Sequence, residues 1–441
     1  MTNQKWIAYA LEKGFEAFEI YQILEKNKSV QWFAGEVDSF VTSRVLGTSL
    51  RGIYNGKMAN FSVEDPSDSN MEMVISNMIT QANAITSDEE VVIREPEDTV
   101  PVKSKRVWVR PSNEQIRDVM KTLEEKCYQY DPRIVQVSSV QWEEVKNVRK
   151  IENSKGMQIE DEITVQALIA GVAASENGQV KTGFKVEMVE DLSQFDQDEF
   201  VEKLCSDAVK QLGATSLPSG EYPVILERSA MTNLFAAFTG MFSGDLISKG
   251  ISPLKDKLGQ SVFSDKITVI DDPRFADAIN VVSYDDEGCP TRTKKLVEDG
   301  VFTTILHDSK SAKKMGTEST GNGFRPAYTS PVNVVPRNCY IVPGDKDLDG
   351  LCESMGEGLV ITSMMGLHAG IDFVTTNFSL QCAGYWVKDG KRDHSVTLIT
   401  MAANFLDLMK NVEEVGNDIK WSYGDIACPS VRFTSCAISG E

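Results

Sequence analysis

Histidine is the scarcest chemically useful residue in this chain: His307, His368 and His394 are the only three among 441 residues. A metal-dependent hydrolase needs ligands that converge on one ion and leave a position open for water. Two histidines four or five residues apart on a helix achieve this, but these three lie far apart in sequence, which favours surface or hydrogen-bonded structural roles. Eight cysteines (Cys127, Cys205, Cys289, Cys339, Cys352, Cys382, Cys428 and Cys436) are widely spread with no CxxC, so reduced thiols in a cytoplasmic protein are expected rather than a disulfide framework. There is no GxSxG nucleophile elbow, because Gly240-Met-Phe-Ser-Gly244 has the wrong spacing. Long apolar runs are missing as well. The longest uncharged stretch, Gly358 to Ile371, falls short of the roughly 20 residues of a membrane span, and Lys5 and Trp6 precede only a short apolar patch, so no secretory signal is read. Cations are in deficit: 45 Lys+Arg against 65 Asp+Glu give a formal charge of −20. That charge repels phosphate backbones and anionic lipid at long range, which argues against direct binding of nucleic acid or membrane.

What is present is a well-patterned globular chain, 41% hydrophobic and 25% charged, with length enough for two or three cores. Residues 3–13 place Trp6, Ile7, Ala10 and Leu11 on one helical face and stop at Gly14. Strands follow from Phe18, and Asn55-Gly56 is a type I′ hairpin signal because both residues tolerate positive φ. A helical stripe then runs through Met71, Val74, Ile75, Met78, Ile79 and Ala82. The same order recurs after residue 112. Ser112 and Gln115 form a capping box, strands run from Arg133 to Val189 with Asn177-Gly178 in the last hairpin, and a helix from Asp196 to Leu212 closes at Gly213. The hairpins match, with Phe61-x-Val63-Glu64 after the first and Phe184-x-Val186-Glu187, one residue later, after the second. We read an internal duplication: residues 1–85 and 112–213, joined by a linker over 86–111, make an N-terminal domain of residues 1–216. Residues 217–441 open with a strand at Tyr222–Leu226 and a helix capped by Ser229 that carries Met231, Leu234, Phe235, Phe238 and Phe242. Beyond Ile267, few helical stripes remain apart from Asp347–Met355 and Asn404–Val412. The expected fold class is α+β, with a mostly β C-terminal domain.

Candidate sites are few. The run Asp285-Asp286-Glu287-Gly288 offers oxygen ligands for a hard cation, but it lacks the one-on, one-off spacing of an EF-hand. With Arg292, Lys294 and Lys295 following, it reads better as a salt-bridged turn. Thr320-Gly-Asn-Gly-Phe-Arg325 is rich in glycine but lacks the Lys-Ser/Thr end of a phosphate-binding loop, and is read as a tight turn.

These segments carry a resemblance. Asp265-Lys-Ile-Thr-Val-Ile-Asp-Asp-Pro273, Tyr284-Asp-Asp-Glu-Gly-Cys-Pro-Thr-Arg-Thr293, Glu298-Asp-Gly-Val301 and Ser319-Thr-Gly-Asn-Gly-Phe-Arg325, with Phe378-Ser379-Leu380 and Gly416-Asn417-Asp418, together resemble the TldD/PmbA family. These proteins of proteolysis and peptide maturation are also called modulators of DNA gyrase, and the resemblance spans nearly the whole chain. It departs at Thr375-Thr376-Asn377, where the family has a Thr-Gly-Asp form. The resemblance implies a dimer enclosing a cavity that an extended peptide enters. In the TldD-type subunit a helix carries His-Glu-x-x-x-His, which supplies metal ligands and a catalytic carboxylate. That place aligns with Phe235-Ala-Ala-Phe-Thr-Gly240, so Phe235, Ala236 and Gly240 stand where ligands and base would be. A family thiolate ligand aligns near Val415–Asp418, where no cysteine stands, and Cys428, ten residues on, is read as packing.

The chain is therefore similar to the PmbA (TldE) branch. By resemblance it holds no zinc and no catalytic residue, and its partner is a TldD-type metallopeptidase subunit or a second copy of itself. Two alternatives are a self-associating peptide-binding or regulatory protein, and a hydrolase built on His307, His368 or His394.

Overall fold

The computed structural model describes residues 2–64, 66–422 and 424–441. Its N-terminal part contains Asn3–Glu12 (α1), Ala17–Phe33 (β1), Glu36–Tyr54 (β2), Lys57–Glu64 (β3), Met71–Ala84 (α2), Asn113–Tyr130 (α3), Ile134–Asn153 (β4), Gln158–Glu176 (β5), Gln179–Met188 (β6) and Gln197–Lys210 (α4). The strands form one antiparallel sheet in the order β3-β2-β1-β4-β5-β6. Two α-β-β-β-α units therefore meet at β1 and β4, where Glu19 through Trp32 pair with Asn153 through Val140. One face of the sheet is covered by helices. Trp6 of α1 and Val74 and Met78 of α2 share a core with Phe18, Ile20 and Leu50 of the sheet, and Met120 of α3 and Phe200 and Leu204 of α4 share one with Trp32, Trp142 and Leu168.

Local signals explain most of these boundaries. Asn55 and Asn177 take φ of 49° and 51°, followed by Gly56 and Gly178 at 69° and 79°, as a type I′ turn requires. Gln115 N donates to Ser112 Oγ at 3.2 Å and Ser112 N to Gln115 Oε1 at 2.8 Å, completing the capping box. Leu11, however, is exposed, so the buried stripe of α1 is Trp6, Ile7 and Ala10.

The hairpin match also needs correction. Phe61 lies opposite Leu50 and packs under α2, whereas Phe184 lies opposite Gly171 and is 70% exposed. Side chains alternate faces with period two, so the extra residue in the second hairpin turns Phe184 to the opposite side of the sheet.

Residues 86–111 form an ordered strap across the C-terminal part. Lys105 N donates to Ala276 O at 2.8 Å, Ser104 Oγ to Ala278 O at 2.8 Å, and Val102 N to Ser283 Oγ at 2.9 Å.

The C-terminal part contains Gly220–Leu226 (β7), Arg228–Phe238 (α5), Gly244–Ser248 (α6), Val269–Asp271 (β8), Lys294–Glu298 (β9), Val301–Phe302 (β10), Ser309–Met315 (α7), Gly323–Phe324 (β11), Asn333–Val334 (β12), Cys339–Ile341 (β13), Leu348–Met355 (α8), Gly358–Met365 (β14), Asn377–Lys388 (β15), Lys391–Asn404 (β16), Phe405–Lys410 (α9), Val412–Val415 (β17), Ile426–Ala427 (β18) and Val431–Ser439 (β19). A six-stranded sheet runs β16-β15-β14-β7-β19-β17, and an extra β16–β19 pairing closes it into a barrel-like ring. A second sheet runs β10-β9-β8-β13-β18. The largest core lies between them and contains α5 and Phe405. Glu227, not Ser229, caps α5: its side chain accepts from Ser229 N at 2.8 Å. The short helices α6 and α7 carry no stripe long enough to announce them in sequence. The fold is α+β, and among the described residues no helix is long and apolar enough to cross a membrane.

Candidate functional site

Helix α5 carries the aligned metal-motif positions. Phe235 is 1% exposed and lies 6.2 Å from the Phe405 ring, on which Phe238 stacks at 4.3 Å. Ala236 and Gly240 do not share that environment. They lie half-buried beside exposed Asn233 and Ala237, outside the buried stripe of Ala230, Met231, Leu234, Phe235 and Phe238. A Cβ built on Gly240 would sit 3.3 Å from the Phe373 ring.

The segment aligned with the family thiolate adjoins the start of the same helix. Asp418 Oδ1 and Oδ2 accept from Ser430 N and Oγ, each at 2.7 Å. Arg228 Nη1 donates to Asp418 O at 3.3 Å, Gly416 N to Ser430 O at 2.7 Å, and Asn417 Nδ2 to Asp345 O at 2.9 Å. Gly416, Asn417 and Asp418 thus spend their polar groups on closing the chain. Cys428 is buried, its thiol pushed up by desolvation, and its N–H donates to Thr232 Oγ1 at 2.9 Å. An aromatic side chain and two small residues with no donor atoms do not fit a catalytic zinc. Among the described residues, no group of three or more His, Cys, Asp and Glu is placed to hold a metal ion.

The acidic run lies at the junction of the two parts of the molecule. Asp285, Asp286 and Glu287 are all buried. Gly288, at φ 77°, has no room for a side chain, since a Cβ there would meet Met157 Sδ at 2.1 Å. Asp285 Oδ1 accepts from Glu287 N and Cys289 N at 2.9 and 2.8 Å, and Oδ2 from Gly323 N at 2.9 Å. Burial, with the Glu287 charge beside it, pushes its carboxyl up to about 7.

The turn is salt-bridged, but not to the cations that follow it. Asp286 Oδ1 lies 2.6 Å from Arg149 Nη1 on β4, and Glu287 Oε1 lies 3.3 Å from Arg51 Nη1 on β2. Arg292 instead donates to Ser319 O at 2.6 Å, Lys294 pairs with buried Asp271 at 2.9 Å, and Lys295 pairs with Glu298. Each arginine also has a partner on the sheet: Arg51 Nε donates to Glu19 Oε1 at 2.8 Å, and Arg149 Nε to Asp161 Oδ1 at 3.0 Å. Glu19, Arg51, Arg149 and Asp161 escaped the sequence reading. Glu19 and Arg51 each stand as a single charge among apolar neighbours, whereas Arg149 and Asp161 are masked by the adjacent charges of Lys150, Glu160 and Glu162. The available signal was a charged residue inside an apolar run, as in Phe18-Glu19-Ile20 and Leu50-Arg51-Gly52.

The glycine-rich turn braces the same junction. Asn322 Nδ2 donates to Asp271 Oδ2 at 2.9 Å, and Thr320 Oγ1 accepts from His307 N at 2.7 Å. Gly321 takes φ 73°, and a Cβ there would meet Pro290 O at 2.5 Å. Arg325 N donates to Asp286 Oδ2 at 2.7 Å, while its guanidinium lies 4.9 Å from the Tyr21 ring centroid.

The three histidines occupy different settings. His307 is buried, with Nδ1 3.2 Å from Ser311 Oγ, and desolvation pushes its pKa down. His368 and His394 are exposed, and His394 Nδ1 lies 2.7 Å from Asp393. Phe378 is buried and Ser379 exposed on β15. Just before them, Thr376 takes φ 61° at the position where the family form has glycine.

Comparison with known proteins settles the ancestry of this arrangement. Residues 219–440 match the PmbA/TldA metallopeptidase C-terminal domain, residues 108–214 the central domain and residues 18–82 domain 1. The chain belongs to the PmbA/TldD metallopeptidase family. A Thermotoga maritima structure described as a modulator of a DNA gyrase superposes with a TM-score of 0.88 at 28% identity, covering 99% of both chains. TldE from Thermococcus kodakarensis gives 0.87 over 99% of each chain at 22% identity, a likeness of fold. The metalloprotease PmbA of Escherichia coli O157:H7 is 28% identical over 72% of this chain and 68% of its own. A metalloprotease of Methanothermobacter thermautotrophicus is 27% identical over 94% and 91%. Within this PmbA/TldD fold, the acidic turn and the glycine-rich turn join the barrel to the N-terminal sheet.

Proposed function

We propose that this chain is the metal-free subunit of a TldD-type metallopeptidase, shaping the cavity and holding extended peptides while a metal-bearing partner cleaves them. The observation that carries this reading is the filling of the α5 motif position by Phe235 against Phe405 and Phe238, with donor-free Ala236 and Gly240 on the accessible side. Zinc, when bound, activates a water molecule for attack on the peptide carbonyl; here that task falls to the partner. The chain's own contribution is main-chain recognition. An unfolded segment offers regularly spaced N–H and C=O groups whatever its side chains, and exposed strand edges bind them without sequence selection.

A surface for association is available on the first half of the sheet. Residues 36–46 of β2 extend beyond the reach of β3, which pairs only with Gly47 through Tyr54, and Val37, Phe40 and Val41 are exposed there. An exposed apolar strand edge is a ready template for pairing with another chain.

Elemental analysis of the purified chain is expected to find no stoichiometric zinc, and about one tightly held zinc per chain would refute the proposal. His307→Ala, His368→Ala and His394→Ala are expected to leave partner-dependent proteolysis largely intact. Loss by orders of magnitude in a folded variant would instead support a hydrolytic site in this chain.

A further inference from the structure

We infer that the unpaired half of β5 forms, with the strap of residues 101–108, a docking groove for an extended peptide that carries apolar residues on one face. The inference rests on the peptide-holding role proposed above and gives it a location. β4 pairs with β5 from Gln158 to Ala174, whereas β6 pairs only with Ala167 through Glu176. Val189 N then donates to Gln166 O at 3.0 Å, which closes the paired part. Residues 158–165 are thus paired on one side only, and among the described residues no strand or bridge occupies the other side.

That free edge faces a groove of about 720 Å³ whose opposite walls are the strap and the segment 279–284. The strap does not pair with the edge, because its own N–H groups at Val102 and Lys105 donate to Ser283 Oγ and Ala276 O. A row of unpaired main-chain donors and acceptors has its best complement in another main chain, lying ~4.8 Å away as an added strand. Side-chain preference follows from the alternation of β5. Half-buried Ile159 and Ile163 share the groove with Ile279, Val281 and Trp108, and half-buried Asp161 lies between them on the same face, tied to Arg149, so the peptide residues that face Ile159 and Ile163 meet an apolar wall. Exposed Glu160 and Glu162 take the other face, paired with Lys150 and Lys146, where polar residues suffice.

The test uses a soluble, fluorescently labelled peptide of about eight residues alternating valine with threonine or lysine, titrated into the full-length protein. Two further peptides are N-methylated at the odd or at the even positions, so that each lacks the N–H donors of one edge. One methylated peptide is expected to bind at least tenfold more weakly and the other like the parent. Ile163→Asp and Trp108→Ala, each checked for an unchanged melting temperature, are expected to weaken the parent peptide by a similar factor. Equal binding by all three peptides, or unchanged binding by both variants, would overturn the groove while leaving peptide binding elsewhere on the chain intact. Absence of binding by any peptide would remove the peptide-holding role together with the groove. If Ile163→Asp instead abolishes self-association with no effect on the peptide, the edge pairs with a second copy and the inference fails.

Discussion

Asp285 shows how one buried carboxyl sets the character of the junction. Its folded pKa of about 7 lies above the ~3.9 of an unfolded aspartate, so the folded state holds the proton more tightly. The stability it contributes is fully present below about pH 4 and is lost as pH rises through about 7. His307 acts in the opposite sense. Its lowered pKa favours the neutral ring, so its contribution is lost as pH falls below the unfolded value of about 6.5. Asp285→Asn removes the first effect and keeps the second. Urea unfolding between pH 5 and 8 should show the wild type losing stability relative to Asp285→Asn as pH rises, whereas parallel profiles would contradict the assignment. Thr376 makes a second test at this scale. A β-branched residue at φ 61° is strained, and the turn is held by Thr376 Oγ1 on Asn404 Oδ1 at 3.0 Å and Phe405 N on Thr376 O at 2.7 Å. Thr376→Val keeps the strain and loses the side-chain bond, and is expected to cost about 1–2 kcal/mol. Thr376→Gly trades that bond for relief of strain and should stay within about 1 kcal/mol of wild type. A larger loss for glycine than for valine would show that the strain is negligible.

At the scale of elements, local chemistry was legible in the residues and register was not. The Asn-Gly turns, the capping box at Ser112 and the stripe of α2 each announced themselves through a requirement satisfied within a few residues. The opposite facing of Phe61 and Phe184 depended on counting one residue across a hairpin, and the tie of residues 86–111 to 276–283 depended on contacts distant in sequence. On helix α5 the stripe Met231, Leu234, Phe235 and Phe238 was readable and is buried, but the half-buried setting of Ala236 and Gly240 was not. The structure separates Phe235 from Ala236, and so do the expected effects of restoring a metal motif. Phe235→His replaces an aromatic ring packed against Phe405 and is expected to cost about 3 kcal/mol. Ala236→Glu, on the accessible side, should change stability by about 0.5 kcal/mol or less. The triple variant with Gly240→His is expected to be destabilised and to remain inactive alone. Chemical denaturation of the single variants checks this, and equal losses at the two positions would show that Ala236 also faces the core.

For the molecule as a whole, the acidic run Asp285-Asp286-Glu287 was visible in sequence, but its pairing with Arg51 and Arg149 was not, because the partners lie more than 130 residues away and meet only in the folded state. These pairs fasten the sheet to the barrel. A buried ion pair that loses one member leaves an uncompensated charge, at a cost of about 3–5 kcal/mol. Arg149→Gln strands both Asp286 and Asp161, and is expected to lower the melting temperature and separate the unfolding of the two parts in calorimetry. A single unshifted transition would show that the arginine does not hold the junction. The central claim concerns where the chemistry resides, and reconstitution with a TldD-type subunit tests it most directly. Proteolysis of an unfolded peptide is measured for each chain alone, for the mixture, and for the mixture in which the partner's metal motif has been removed. The account predicts cleavage only in the mixture with the intact partner. Cleavage by this chain alone, or by the mixture lacking the partner's metal motif, would contradict it.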